Sequence, residues 1–255
     1  MEFAHLVSTV SVKTVTSEPK HGVFEIEGLY AGYGLTIGNA LRRTLLSSLP
    51  GAAVTYVKIK NAPHEFTTIQ GIKEDVVELT LNLKKLRFRM HTNEPQTLLL
   101  KVKGIRTATG ADIEKNSEVE LINSDEVIAT LTEKGAELDM EITVERGLGY
   151  SSVESRKAEK LSIGLIGIDA FFSPVTKVSY TVDNMRMGDR TDYNRLRVEI
   201  DTDGTISPSA AFHKTASILK DHFEKVFELE VQNFEAEETK EEAPKKKART
   251  KKIKE

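Results

Sequence analysis

The stretch Gly28–Gly51, GLYAGYGLTIGNALRRTLLSSLPG, decides the fold, because a glycine-studded loop runs directly into a compact amphipathic helix. Thr36 is the predicted N-cap of this helix, and Pro50 with Gly51 is predicted to end it. Small or apolar side chains recur at helical spacing and form one stripe: Ile37, Ala40, Leu41, Thr44, Leu45 and Ser48. A stripe of this kind needs a partner surface, so the helix is expected to pack on another element.

The same helix carries further contacts on its remaining faces. Leu46 and Leu49 widen the apolar surface, while the adjacent Arg42 and Arg43 project from another side. A helix of about three turns therefore offers contacts in two directions. This arrangement is suited to joining two bodies.

Length and composition restrict the class of protein. A chain of 255 residues can form one large domain or two modest ones with a substantial core. Its net charge of −3 gives no overall attraction to nucleic acid, and the absence of cysteine excludes disulfides, thiolate metal ligands and cysteine nucleophiles. No apolar run reaches the roughly 18 residues that span a bilayer, so we expect a cytoplasmic protein without a membrane partner.

The segments around the helix are rich in strand patterns. Strands are predicted within residues 3–16 and after Gly22, before the helix begins. After Gly51, alternating apolar residues predict a strand that leaves the helix, which places a domain boundary near residue 50. Lys73–Leu83 predicts a short helix, and strand signals continue as far as Val144. The middle section is therefore interpreted as a β-rich insert.

The last predicted element is a helix from about Pro208, which follows strands at Val175–Val182 and Leu196–Ile200. Its apolar side chains recur in a heptad-like pattern, which we call the α3 seam: Phe212, Ala216, Leu219, Phe223 and Val226. The seam packs either on the chain's own sheet or on a second helix in an oligomer. The periodicity leaves both alternatives open.

The composition changes sharply from Glu235 onwards, where an acidic block precedes a basic run. This segment is predicted to be a disordered charged tail. A basic run can hold nucleic-acid phosphates in a salt-dependent way, or it can be a plain solvated tail, and both alternatives stay open. The candidate DNA contacts are Lys245, Lys246, Lys247, Arg249, Lys251 and Lys252.

Motifs for catalysis or ligand binding are missing from the sequence. The glycine loop matches neither GxGxxG nor GxxxxGK[ST], which excludes the common phosphate cradles. Asp201–Gly204 resembles the start of a calcium loop, but the later carboxylates are absent. There is no GxSxG elbow and no aspartate triplet that could hold two magnesium ions. We therefore predict no catalytic residue, no metal site and no cofactor, and interpret the chain as a scaffold.

Several motifs together identify a family. The run GYGLTIGNALRRTLLSSLPGAAV, residues 32–54, closely resembles the first long helix and flanking loops of the bacterial RNA polymerase alpha subunit. The resemblance covers roughly residues 4 to 231. It continues through the motifs His64-Glu-Phe66, Gly71-Ile-Lys-Glu-Asp75, Leu81-Asn-Leu-Lys84, Arg146-Gly-Leu-Gly-Tyr150, Ser173-Pro-Val175, Arg190-Thr-Asp192 and Thr202-Asp-Gly-Thr-Ile206.

The resemblance implies an α+β fold in two domains. A discontinuous dimerisation domain, a sheet plus two helices, would take residues 1–49 and 172–232. An inserted β-rich domain would take residues 50–171, and the charged tail residues 233–255. The implied function is a homodimeric, non-catalytic subunit of DNA-directed RNA polymerase, a nucleotidyltransferase. It would recruit the catalytic beta and beta-prime subunits, with omega and sigma in the full enzyme.

The resemblance also implies roles for individual residues. The dimer interface would combine both helices, through Ile37, Leu41, Leu45, Phe212, Ala216, Leu219, Phe223 and Val226. The beta subunit would contact Arg42, Arg43 and Leu46. The beta-prime subunit would contact Lys84, Ile168, Asp169 and Arg195, the last being a lysine-type position that carries arginine here.

One departure from the family limits what can be carried over. Family members usually continue into a small helical C-terminal domain that binds promoter DNA and activators, whereas this sequence ends in its charged tail. We therefore expect a short form in which the basic run is the candidate DNA contact. The alternative function is a stand-alone dimeric binding module that contacts nucleic acid through that tail, in which Arg43 would have no partner.

Overall fold

The computed structural model describes residues 8–156 and 164–229, which form a mixed α+β structure of mainly antiparallel sheets. The predicted fold class is confirmed. In chain order the elements are β1 Ser11–Ser17, β2 His21–Leu29, α1 Tyr33–Ser47, β3 Pro50–Ile59, α2 Val76–Leu83, β4 Phe88–Met90, β5 Gln96–Lys103, β6 Arg106–Thr109, β7 Val119–Leu121, β8 Val127–Leu131, β9 Glu137–Leu148, β10 Tyr150–Ser151, β11 Leu165–Gly167, β12 Ala170–Phe171, β13 Val175–Met187, β14 Arg190–Thr202 and α3 Pro208–Phe227.

The first sheet has the strand order β1-β2-β14-β13, and all its pairs are antiparallel. Along β14, buried residues alternate with more exposed ones, as expected when only one face of a sheet is covered. The helices α1 and α3 contact this sheet and each other. Their shared core contains Phe24, Ile26, Leu29, Leu41, Leu45, Leu49, Val175, Val178, Leu196, Val198, Ile200 and Ala211.

Helix α1 lies close to the strands beneath it because two of its positions are glycines. A Cβ atom on Gly38 would stand 2.8 Å from Cδ2 of Tyr180 and 2.9 Å from Cδ1 of Leu196. A Cβ atom on Gly34 would stand 2.6 Å from Cγ1 of Val182. Real Cβ contacts are longer than this, so the glycines permit a helix–sheet approach that other residues would prevent.

The second sheet has the order β5-β9-β3-β4-β7, with β11 paired to β3. It forms a separate core with α2, which buries Val76, Leu79 and Leu83. The carboxylate of Asp75 accepts a hydrogen bond of 2.7 Å from the backbone N–H of Glu78 and so caps this helix. Two small two-stranded sheets, β6-β8 and β10-β12, complete this part of the chain.

The predicted start of α1 was wrong. The helix begins at Tyr33, and its N-cap is Gly32, four residues before the predicted N-cap Thr36, in the left-handed region with φ of 86°. It ends at Ser47, where the N–H of Ser48 donates to the carbonyl of Thr44, and Pro50 already belongs to β3. None of the helices within residues 8–156 and 164–229 is long and apolar enough to cross a membrane.

The chain passes from the first sheet to the second at Gly51 and returns near Phe172. A Cβ atom on Gly51 would lie only 1.8 Å from the carbonyl oxygen of Phe172, so the two chain crossings touch backbone to backbone. The N–H of Phe172 donates to the carbonyl of Gly149 at 2.8 Å, which holds the returning segment in place. Only glycine fits at residue 51 without moving this joint.

We predict that Gly51→Ala destabilises the protein by about 1–3 kcal/mol, because the methyl group overpacks the joint against backbone that cannot swing away. The measurement is the free energy of unfolding from chemical denaturation. Gly135→Ala is the matched control, since a Cβ atom there meets nothing within 4 Å. Equal stability of the two variants would contradict this account of the joint.

A second prediction concerns the ion pair at the ends of β2 and β14, the two central strands of the first sheet. Nδ1 of His21 lies 2.6 Å from Oδ1 of Asp201, and this hydrogen bond raises the pKa of His21 above its ordinary 6.5. A raised pKa in the folded state means that the pair stabilises the protein fully below pH 6.5, the unfolded value, and loses this effect as pH rises through the folded pKa.

The pKa of His21 is measured by NMR titration of its imidazole ring. We expect a value above that of an exposed histidine, and a return towards the ordinary value in Asp201→Asn, which keeps the shape of the side chain but removes its charge. A titration of His21 that Asp201→Asn leaves unchanged would show that the carboxylate has no influence on the ring.

Candidate functional site

The N-terminus of α1 is capped by a side chain from a distant strand. The N–H groups of Gly32 and Gly34 donate to Oδ1 of Asn194 on β14, at 2.9 and 3.4 Å. Asn194 is buried, and its Nδ2 donates to Oδ1 of Asn184 at 3.1 Å. The first N–H groups of a helix have no partner within the helix, so this amide satisfies two of them and ties α1 to the sheet.

The outward face of α1 carries the predicted beta contacts. Arg42, Arg43 and Leu46 are all exposed. Neither guanidinium has a hydrogen bond or ion pair with any residue in 8–156 or 164–229. An arginine without a partner in its own chain is free to make bidentate bonds to a carboxylate. The helix therefore presents two cationic groups and an apolar side chain to solvent on a rigid element.

Two residues of the predicted dimer interface lie in the chain's own core. Leu41 is 4% exposed and Leu45 is fully buried, and both lie in the core between α1, α3 and the first sheet. Both side chains are therefore covered by their own chain. Ile37 is half-buried at the edge of the same core.

The first half of α3 packs on the chain's own sheet. Its buried stripe consists of Pro208, Ala211 and Thr215, which lies beside the α3 seam rather than along it. Phe212 of the seam stacks on Phe24 of β2, with ring centroids 4.7 Å apart and planes 6° from parallel. Leu219 is half-buried against the same core, whereas Ala216 is exposed.

The second half of α3 leaves that sheet. Every residue from 221 to 229 is exposed. Its apolar side chains are uncovered by any other residue that the structure describes, with Phe223 66%, Val226 68%, Phe227 91% and Leu229 74% exposed. We call these four residues the α3 patch. An apolar patch of this kind marks an interaction surface. Each of the two alternatives for the seam thus applies to part of it. Phe212, its first residue, packs on the chain's own sheet, whereas Phe223 and Val226, its last two, are uncovered among the described residues.

Two of the four predicted beta-prime contacts come together on the second sheet. Lys84 is the exposed C-cap of α2, and its positive charge contributes to lowering the pKa of Asp169. The pKa of Asp169 is lowered, first by the hydrogen bond of 3.0 Å from the N–H of Val153 and further by the Tyr150 hydroxyl and Lys84. Asp169 is therefore held ionised.

The other two predicted beta-prime contacts are placed differently. Ile168 is 3% exposed in the core of the second sheet, and its N–H donates to the carbonyl of Thr55 at 2.8 Å, so its side chain is structural. Arg195 lies on β14 of the first sheet, with Nε 3.1 Å from Oε1 of Glu27. Among the described residues, Arg195 makes no hydrogen bond or ion pair with Lys84 or Asp169.

The candidate DNA contacts in the tail, Lys245 to Lys252, lie outside the described residues. Sequence reasoning missed Asn194, whose role depends on a hydrogen bond between residues 162 positions apart. No local sequence pattern around Asn194 predicts this capping role. It also underestimated Phe227 and Leu229, although both extend the apolar run of α3 by one more turn.

Comparison with known proteins points to one family. The family model for the RNA polymerase Rpb3/RpoA insert domain matches residues 57–173, the part of the chain that contains most of the second sheet. Among curated relatives, the DNA-directed RNA polymerase subunit alpha of Alkaliphilus oremlandii (strain OhILAs) is 48% identical over 213 residues, which is 84% of this chain and 67% of the relative.

Two further relatives carry the same name. That of Moorella thermoacetica is 48% identical over 205 residues, covering 80% of this chain and 65% of the relative. That of Roseiflexus sp. (strain RS-1) is 44% identical over 233 residues, covering 91% of this chain and 72% of the relative. The chain thus spans about two thirds of the length of the relatives it matches. The similarity includes α1, both sheets and α3, and the chain belongs to the family of DNA-directed RNA polymerase alpha subunits.

Proposed function

We propose that this chain is a homodimeric scaffold on which the catalytic beta and beta-prime subunits of a cytoplasmic RNA polymerase assemble, with omega and sigma in the full enzyme. The observation that carries the proposal is the pair of uncovered surfaces on the two helices of the first sheet. One is the cationic outward face of α1, and the other is the α3 patch. The chain itself would supply no catalytic group. The relatives' names favour this function over a stand-alone nucleic-acid-binding module.

The proposed domain division follows the two separate cores. Residues 1–49 and 172–232 form the dimerisation domain, and residues 50–171 form the inserted domain. The hydrophobic clusters of the two sheets support this division, because the larger one draws its residues from 54–168 and the other from both flanking segments. Residues 233–255 would be the charged tail, whose basic run stays a predicted DNA contact.

The dimer would form through the exposed part of α3. Phe223 and Val226 offer large apolar side chains that nothing in the described chain covers, and Ala216, Leu219, Phe212 and Ile37 lie towards the core end of the same surface. A two-fold dimer would bring the same surface of both copies together, so each apolar residue counts twice. Covering this patch removes apolar area from water, which is the main driving force for association.

The beta and beta-prime contacts would lie on different domains. Arg42, Arg43 and Leu46 on α1 would bind beta. Lys84 and Asp169 on the inserted domain would bind beta-prime, with Arg195 on the first sheet as a more remote contribution. The buried side chain of Ile168 supports this surface from below rather than touching a partner. In the dimer, one protomer would mainly touch beta and the other mainly beta-prime, so two identical chains would play different roles.

We predict that Arg43→Ala weakens capture of the beta subunit about tenfold or more, because a charge-assisted hydrogen bond at an interface contributes about 1.5–3 kcal/mol. The dimer should keep its mass and thermal midpoint, since the guanidinium of Arg43 has no hydrogen bond or ion pair with any residue that the structure describes. The measurement is binding of purified beta to the immobilised dimer. Arg186→Ala is the control, because Arg186 is also exposed and bonds only to the carbonyl of Gly188. Equal capture by the two variants would remove Arg43 from the interface.

A second prediction tests the dimer. Phe223→Asp is expected to give a folded monomer, because an unpaired charge in an apolar interface costs several kcal/mol, whereas Phe223 is exposed within its own chain. The measurements are the mass in solution and the circular dichroism spectrum. Ser217→Asp adds the same charge at an exposed position of α3 outside the seam and should stay dimeric. A dimeric Phe223→Asp variant would refute the seam assignment.

A further inference from the structure

Besides the two chain crossings, a polar contact joins the two sheets. Arg89 of β4, in the second sheet, presents one edge of its guanidinium to the turn after β14. Nε donates to the carbonyl of Thr205 at 2.9 Å, and Nη2 donates to the carbonyl of Gly204 at 3.4 Å. On the opposite side, Nη1 donates to Oε2 of Glu120 at 2.9 Å. The planar guanidinium therefore bonds to a residue of its own sheet and, at the same time, to two consecutive backbone carbonyls in the turn after β14.

A second arginine of the same domain, Arg87, reaches the same turn. Nε of Arg87 lies 3.7 Å from Oδ2 of Asp203, whose side chain is only 8% exposed. Nη1 of Arg87 donates to the carbonyl of Lys84 at 2.8 Å. Arg87 thus connects the turn with the residue that would bind beta-prime.

The turn is stiff enough to transmit this contact. Oδ1 of Asp203 accepts hydrogen bonds from the N–H and the hydroxyl of Thr205, at 2.8 and 2.6 Å. Gly204 has φ of +98°, and the N–H of Asp203 donates to the carbonyl of Pro174 at 3.0 Å. Two residues later, Ser207 caps α3. A contact that fixes the turn therefore also fixes the start of α3, the helix that carries the seam.

Packing alone does not fix the angle between the sheets. A cleft of 260 Å³ lies at the joint, lined by Pro50, Gly51 and Pro174 at the chain crossings and by Arg89 and Thr205 at the polar contact. The cleft leaves this part of the joint unfilled by apolar side chains. Two chain crossings that touch each other leave rotation about them possible, so a contact elsewhere is needed to prevent it.

We infer that Arg89 and Arg87 are positioning residues that lock the inserted domain at one orientation against the dimerisation domain. They thereby fix the distance between the beta-facing surface of α1 and the beta-prime-facing surface at Lys84. This second step rests on the proposed function, whereas the lock itself does not. The beta and beta-prime subunits would meet a preformed arrangement of two surfaces and would not have to select it from a moving pair.

The lock is tested by the distance between spin labels on the two domains. The chain has no cysteine, so Ser17→Cys and Thr97→Cys, both at exposed strand positions, place the labels uniquely. An excess of unlabelled chain leaves one labelled protomer in each dimer. Arg89→Ala is expected to widen the distance distribution about twofold, because domains without a large apolar interface move by default. Dimer mass and the thermal midpoint are expected to stay unchanged.

Assembly provides the second readout. Arg89→Ala should capture beta normally but lower the affinity of the resulting complex for beta-prime about tenfold, as expected for coupling through domain orientation. Arg146→Ala is the matched control, since Arg146 lines the same cleft but bonds only to Asn93 of its own domain. Glu120→Gln, which removes only the carboxylate that anchors Arg89, should act in the same direction more weakly and serves as a second variant if Arg89→Ala folds poorly.

The outcomes separate the two parts of the inference. An Arg89→Ala distribution as narrow as that of Arg146→Ala overturns the lock. A widened distribution with unchanged recruitment of beta-prime overturns its role in assembly. If the unmodified dimer captures no beta at all, the proposed function fails, while the distance measurement still decides the lock.

Discussion

The structure depends on the hydrogen bonds between the amide of Asn194 and the first N–H groups of α1. They fix the helix at one end, and the glycines at positions 34 and 38 let it lie against β13 and β14 at short range. Once the helix is seated in this way, its rotation about its own axis is determined. Leu41 and Leu45 then face inwards and Arg43 faces solvent. The side chains available to a partner follow from a contact at the far end of the helix.

The two helices on the first sheet bury some of their apolar residues within the chain and leave others exposed. α1 places its strongest apolar residues in the core and shows partners a mainly cationic face. α3 divides along its length instead, with Phe212 stacked on Phe24 near its start and Phe223 uncovered further on. Burial within the chain stabilises the fold, and the uncovered remainder is available for assembly. The larger core of the second sheet takes no part in this division.

Particular residues show how far the sequence could lead. Periodicity was sufficient to predict α1, the β-rich middle section and the apolar run of α3, because these depend on neighbours a few positions apart. It misplaced the cap at Thr36, since the capping amide comes from another strand. Periodicity showed that Leu41 lies on an apolar face of α1, but it could not show that the chain's own core covers this face. The sequence also could not predict the burial of Ile168, because this burial depends on strands that come together only in the tertiary structure.

The division of α3 has a consequence for the order of events in the cell. Its first two turns are anchored by residues of the same chain, from the Ser207 cap to the buried Thr215. A newly made protomer can therefore complete its own core before it encounters a second copy. In the proposed dimer, pairing would then add stability that depends on the concentration of protomers, as for any association linked to folding. The expression level would thus determine how long the α3 patch of each chain stays exposed to water.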